Sequence, residues 1–366
     1  MKKIVIAFCL IATIAGCSSS DNSETNTNKG YDRTAILTNW ADNLIIPAYE
    51  NYSAKINSLS QSATTFSSAP NQNNLSALRT AWFDAYTAYQ YVALYDFGKA
   101  AELYLKQSAN TYPTDTNGIN ANITSGTYNL NLQEQFSRQG LPAVDYLING
   151  HGTDSETISY LSVANNAAYL TAVIDQLKTI AATVTADWKT NYRAQYIQNN
   201  GKSVTSSVSK TTNNFIKNLE KDIRTAKLGI PAGYFSNGKT YPDKVEAYYK
   251  NNVSKTLLNI SIQAEIDFFN GKAFNSSATG ASLKSALTEV NAVREGQNLS
   301  DVINNQFSTI LTTNNTLNDS FSTQIANDNA KMITAYTTLQ QGVIYLKVDM
   351  MQALNMTIDY VDGDGD

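Results

Sequence analysis

Apolar side chains along this chain recur at the spacing of a helical face, and seldom at the alternation of a strand. Leu75, Leu78, Trp82, Ala85, Tyr89 and Val92 follow one another at steps of 3, 4, 3, 4 and 3, the periodicity of a bundle helix. Leu170, Val173, Ile174, Leu177, Ile180, Ala181 and Val184 mark a second stripe, inside a helix expected over 156–198. A third runs through Phe215, Leu219, Ile223 and Ala226, and a fourth through Val245, Tyr249, Val253, Leu257, Ile260, Ala264 and Phe268. Leu339, Val343, Leu346, Met350 and Ala353 repeat steps of 4, 3, 4 and 3 within a final helix expected over 318–355. Further helices are expected over 31–59, interrupted near Pro47, and near 282–295 and 299–312. No segment alternates convincingly. The predicted class is all-α.

Polar runs divide these helices. Residues 67–74, 234–242 and 270–281 read as connecting loops, and 107–130, rich in Asn, Thr and Gly, as one long loop of the kind that often carries function. The Ser/Thr-rich run 199–211 reads as a domain boundary. Residues 31–366 are more than one core usually serves, so the expected organisation is two helical-bundle domains, 31–205 and 206–366. Gly140-Leu-Pro-Ala returns as Gly229-Ile-Pro-Ala 89 residues later, each copy following a segment that carries an arginine, Arg138 or Arg224. That echo suggests internal duplication.

The N-terminus makes a separate statement. Lys2 and Lys3 precede an apolar run from Ile4 to Ile14, and Ile14-Ala15-Gly16-Cys17 follows. The run is too short to cross a bilayer, which needs about 20 residues. Small residues before a cysteine mark a bacterial lipoprotein signal, with 1–16 removed and Cys17 acylated. Each methylene of the acyl chains would contribute about 0.8 kcal/mol of membrane affinity. Residues 17–30 contain no large apolar side chain and read as a flexible lipidated tether. Ser18, where an aspartate is absent, suits sorting to the outer membrane of a Gram-negative envelope, at its periplasmic face or at the cell surface.

Composition then removes whole classes of chemistry. Cys9 leaves with the signal and Cys17 is committed to lipid, so disulfides, a cysteine nucleophile and Cys-based zinc or iron–sulfur sites are excluded. Losing Lys2 and Lys3 takes the formal charge from −4 (27 basic against 31 acidic residues) to −6 (25 against 31). An acidic chain without basic clusters argues against nucleic acid as a partner. His151 is the single histidine, which excludes a His₂ or His₃ zinc site and a zincin mechanism. Within its Gly-His-Gly turn, His151 reads as an exposed or helix-capping residue. The tail Asp362-Gly-Asp-Gly-Asp366 looks like half a calcium loop but lacks the bidentate glutamate, so it reads as a flexible acidic end. Neither a nucleophile elbow nor a phosphate loop nor a dinucleotide fingerprint is found.

The stretch Arg138-Gln-Gly-Leu-Pro-Ala-Val-Asp-Tyr-Leu-Ile-Asn-Gly150 concentrates the remaining candidates. Gly140 permits a tight approach, Pro142 suits a first helical turn, and Asp145 reads as a first-turn carboxylate near Arg138 or Arg224. Were a metal bound by carboxylates alone, the candidates to join Asp145 would be Asp96, Glu134, Asp222 or Glu246, holding calcium or iron(III) weakly. Trp82, Tyr86 and Tyr89 lie on or beside the bundle stripe and read as core.

Taken together, the Cys17 signal, Trp82, Ala85-Tyr86, Ala88-Tyr89, Phe97-Gly98, Gly140 to Ile148 and the closing Asp-Gly-Asp resemble the imelysin-like proteins, also called the peptidase M75 group. The resemblance covers essentially the whole mature chain. It implies two helical bundles related by duplication and an envelope protein, with several members linked to iron uptake and some described as peptidases. The family's signature, Gly-x-His-x-x-Glu, sets His and Glu one helical turn apart, where they could hold a metal or polarise a water. In this chain Gly140 matches, but the His place is Pro142 and the Glu place is Asp145. Proline supplies neither ligand nor base, so no zinc site is expected there. The expected function is therefore non-catalytic binding by a lipid-anchored envelope protein, linked to iron or haem uptake through an envelope partner. A divergent metallopeptidase and a structural scaffold are the alternatives.

Overall fold

The computed structural model describes residues 30–360. Cys17, its signal and nearly all of the tether lie outside the described residues, as does the Asp362–Asp366 tail. Within them the chain is helical, with one two-residue hairpin, Val293–Arg294 against Gln297–Asn298, added to the all-α plan.

Eight helices organise the fold: α1 (Ile46–Ser68), α2 (Gln72–Gln90), α3 (Gly140–Asn149), α4 (Ala164–Asp187), α5 (Ser207–Lys217), α6 (Ser254–Asn270), α7 (Leu299–Asn314) and α8 (Phe321–Ile344). Their starts follow local chemistry. Asn71 accepts from the Asn74 amide at the head of α2, and Ser320 does the same for Thr323 at the head of α8. The six stripe residues from Leu75 to Val92 are all buried, so the period read in the sequence is the face that packs. That face lies on α1, which also packs against α4. In the second half, α6 packs on α7, α7 on α8, and α8 on the segment Asn218–Gly229.

The halves meet through shared core. Trp40 stacks on Phe268 of α6 with ring centres 4.6 Å apart, and α6 also touches α2. The buried apolar residues of both halves form one continuous cluster. Gly140-Leu-Pro-Ala opens α3, whereas Gly229-Ile-Pro-Ala leaves a helix and enters a turn, so the two copies do different local work.

Several elements depart from the period reading. Chain 107–130 is not one loop, because Leu105–Asn110 and Thr116–Ser125 are helical. The interruption near Pro47 is a widening over Trp40–Ile45 inside one continuous helical run, and the Asn43 carbonyl, which Pro47 has no N–H to meet, accepts from the Phe274 amide at 2.7 Å. The long helix expected over 156–198 breaks at Ser162-Val163, between Asp154–Leu161 and α4. The helix expected over 282–295 stops at Glu289 and yields to the hairpin. The helix expected to start at Val245 begins only at Ser254. Residues 245–253 run as an irregular strap in which Ala247 and Asn251 take left-handed backbone (φ 56° and 66°).

Candidate functional site

Helix α3 is held at both ends by α2. Trp82 donates its indole N–H to the Leu141 carbonyl at 3.0 Å, and Arg79 donates to the Ile148 carbonyl at 2.9 Å. Ahead of the helix, Gly140 takes φ 83° and presses on the preceding chain, so an added Cβ would lie 2.5 Å from the Ser108 carbonyl oxygen. Gly140→Ala therefore combines a positive φ with a backbone clash, and is expected to cost about 1–2 kcal/mol, read from the shift of its urea unfolding midpoint. An unchanged midpoint would mean the backbone relaxes there.

Asp145 is placed differently from the sequence expectation. Counting from Gly140 it sits in the second turn of α3, not the first, and its partners are not arginines. Its Oδ1 accepts from the Asn149 side chain at 2.9 Å and the Lys250 amide at 3.0 Å, and its Oδ2 accepts from the Tyr249 amide at 2.9 Å. One side chain thus clasps the strap to α3. Burial pushes the Asp145 carboxyl up to about 7, against the opposing pull of those three donors. Arg138 is paired with Asp115 at 2.8 Å, and Arg224 donates to the Tyr336 hydroxyl at 2.8 Å while its guanidinium lies over that ring.

The other carboxylates also find separate partners. Asp96 and Asp222 both face Lys106, at 3.4 and 2.8 Å. Glu134 is exposed on the short turn Gln133–Arg138. Glu246 is buried in an ion pair with Lys227, and its Oε1 accepts from Asn110 at 2.8 Å and Gln90 at 3.3 Å. Among the described residues no three of His, Cys, Asp and Glu gather to hold a metal ion. The metal implied by the family signature does not fit this set: Pro142 offers no side-chain ligand atom, and the Asp145 carboxylate, already accepting from three protein donors, has no second ligand beside it among the described residues. His151, expected to be exposed or capping, is half-buried, stacked on Tyr160 with ring centres 3.5 Å apart and 4.9 Å from the Tyr146 ring. Burial lowers its pKa.

Two cavities flank these groups, and Tyr112 and Pro113 line both. The smaller, about 210 Å³, is walled by Pro142, Asp145 and the strap residues Val245, Ala247, Tyr248 and Tyr249. The larger, about 520 Å³, is walled by α2 and the 106–113 segment on one side and by Asn218–Gly229 on the other. Lys106, Gln107, Asn110, Asn218 and Lys227 line it without having been singled out in the sequence. Asn218 and Lys227 had little chance of being found. Nine residues apart at 100° each, they would face opposite sides of an α-helix. Segment Asn218–Gly229 is a π-helix, whose i→i+5 bonding sets steps of four and five on one face, so Asn218, Asp222 and Lys227 share the cavity wall. A run of polar residues at alternating steps of four and five was the signal available.

The fold and this site define a class. Residues 45–348 match the Imelysin (Peptidase M75) family, and the chain belongs to it. It is similar to two solved structures that share its fold. One is an imelysin-like protein from Psychrobacter arcticum, with TM-score 0.72 and 17% identity, covering 90% of this chain and 97% of that one. The other, from Parabacteroides distasonis, is described as an iron-regulated protein A precursor, with TM-score 0.71 and 17% identity over 87% and 95% of the two chains. Iron-regulated protein A of Synechococcus elongatus is 27% identical over 119 residues, covering 31% of this chain and 32% of the relative. The chain thus spans about a third of that curated relative's length.

Proposed function

We propose that this imelysin-family protein is a non-catalytic binding protein that serves iron or haem acquisition from a lipidated anchor in the Gram-negative envelope. The observation that carries the non-catalytic part is the use of Asp145. The carboxylate at the signature's acidic place accepts from Asn149, Tyr249 and Lys250, and Pro142 stands where the signature has its histidine, so Asp145 has no imidazole partner with which to hold a metal or activate a water. The larger cavity supplies a place to bind, and the iron-regulated names of two relatives support the physiological setting. We carry forward, as part of the proposal, two bundles divided near residue 205 and related by duplication, and no nucleic acid as partner.

The test has two arms. Purified protein incubated with a peptide library should give no cleavage above a heat-treated control; cleavage lost in Asp145→Ala, with stoichiometric metal, would establish the metallopeptidase instead. Raising the protein in iron-poor and iron-rich medium should show several-fold induction when iron is scarce, and a scaffold role would leave it constant. The anchor is tested apart from both. No described helix is long and apolar enough to cross a membrane. Cys17→Ser should move the protein from the membrane to the soluble fraction, and a variant that stays on the membrane would refute lipid anchoring.

A further inference from the structure

Behind the wall of the larger cavity lies an acid that no cation meets. Glu265 is fully buried on α6, and Asn218, 3% exposed, donates its Nδ2 to Glu265 Oε1 at 2.6 Å. The second oxygen of each group, Glu265 Oε2 and Asn218 Oδ1, is buried against the other with no hydrogen-bond partner. With Glu265 ionised, these two atoms are both acceptors, and neither has a hydrogen to offer. Turning the Asn218 amide over only exchanges one such contact for another. A proton on Oε2 satisfies both oxygens at once, and each would otherwise carry the cost of a buried acceptor left unmatched.

The surroundings supply no counter-charge. Helix α6 packs on α2, α7, Leu283–Glu289 and Asn218–Gly229. From α7 and Leu283–Glu289 no buried side chain is ionisable. Asn218–Gly229 presents Asp222, which Lys106 pairs, while its buried Glu220, Arg224 and Lys227 meet Lys347, Tyr336 and Glu246. Helix α2 and the turn after it bring the buried tyrosines Tyr86, Tyr89 and Tyr95, and α6 itself carries Asp267, paired with Lys272. No cation pairs with Glu265 among the described residues, and a buried anion without one is costly. Burial pushes the Glu265 carboxyl well above the usual carboxylate range; the Asn218 donor opposes this and the Asp222 charge adds to it.

We propose that Glu265 is a neutral carboxylic acid closing a two-hydrogen-bond pair with Asn218, Oε2–H to Oδ1 and Nδ2–H to Oε1, and that this pair is an alkali-sensitive latch holding the π-helical cavity wall to α6. Asn218 opens the π-helical segment, so the latch fixes that segment where it begins. Loss of the proton leaves a carboxylate facing Asn218 Oδ1 and Asp222 in a dry site, and parting the wall from α6 admits the water that relieves it. The folded chain holds this proton at pH values where the unfolded chain has released it. The latch's contribution is therefore complete in acid and falls as pH rises through the raised value. It stands whether the protein binds a ligand or hydrolyses one.

Glu265→Gln tests it, because the new amide has the shape of the acid and its Nε2 donates to Asn218 Oδ1 at every pH. Infrared difference spectra of parent against variant, on the mature lipidated protein in detergent at neutral pH, should show the C=O stretch of a protonated acid and no carboxylate bands. Parent labelled with ¹³C at the glutamate side-chain carboxyl should shift that band, a result that needs no variant and leaves Asp145 silent. Amide hydrogen exchange over Asn218–Gly229, taken relative to the chemical rate at each pH, should quicken about tenfold in the parent on going from neutral pH into alkali and stay nearly constant in Glu265→Gln. Carboxylate bands from Glu265 at neutral pH, an acid band that ignores the glutamate label, or exchange that rises alike in parent and variant would each overturn the latch.

Discussion

Glu246→Leu is expected to destabilise the protein by about 3–5 kcal/mol, the range for removing one partner of a buried ion pair. Lys227 and Glu246 have side chains only 5% and 2% exposed. With Glu246 gone, the Lys227 ammonium would keep the Gln90 carbonyl oxygen at 3.1 Å and lose its counter-charge in a place water scarcely reaches. Asn110 and Gln90 would lose their shared acceptor in the same step. Because Glu246 belongs to the strap, and Gln90 and Asn110 to the first half of the chain, the loss also loosens one contact with the other. The double variant Lys227→Met/Glu246→Leu should recover most of the deficit, since two apolar side chains replace a pair without stranding either charge. Urea unfolding of the two variants and the parent decides it. A single variant no less stable than the double would show that the pair is not what holds the strap.

The second large effect comes from Asp145 and depends on pH. Its carboxyl titrates near 7 in the fold and near 3.8 when unfolded, so between those values the folded chain holds more protons. Stability contributed by this group is therefore fully present below about pH 4 and declines as pH rises toward 7. A displacement of about 3 units makes the total about 4 kcal/mol, at roughly 1.4 kcal/mol per unit. Removing the side chain strips the Tyr249 and Lys250 amides of their acceptor, which costs about 1–3 kcal/mol for each buried group left unmatched. Asp145→Ala should accordingly be about 2–4 kcal/mol less stable at pH 5, and the gap should narrow by pH 8. Hydrogen exchange at Tyr249 and Lys250 should quicken several-fold in the variant. Parallel pH–stability curves for parent and variant would show that Asp145 does not titrate as its burial requires.

The helical stripes were readable because burial repeats at the period of the backbone. Leu75 to Val92 needed only a face, and the face packs as the spacing implies. The strap was misread for the same reason. Val245, Tyr249 and Val253 carry a helical spacing, but the Tyr249 and Lys250 amides bond Asp145, 104 and 105 residues away, and two left-handed residues turn the chain. No local pattern encodes a partner that far off. Asp145 was found from its unusual neighbours Gly140 and Pro142, while its role came from the strap. Asp222 and Glu246 were named as companions of Asp145 and proved to serve different lysines, Lys106 and Lys227. The wall of the larger cavity was hidden by the assumption of 3.6 residues per turn, which sends Asn218 and Lys227 to opposite faces.

The π-helical turns over Asn218–Gly229 make segment length a determinant in its own right. Deleting a single residue between Asp222 and Lys227 would turn one end of the wall against the other by about 100° in the α-helical limit, with every remaining side chain chemically intact. Side-chain replacements on the outer surface leave that alignment untouched. Two proteins that agree at Asn218, Asp222 and Lys227 but differ by one residue in the spacing between them would then present different cavities, and counting residues would separate them where comparing residues would not.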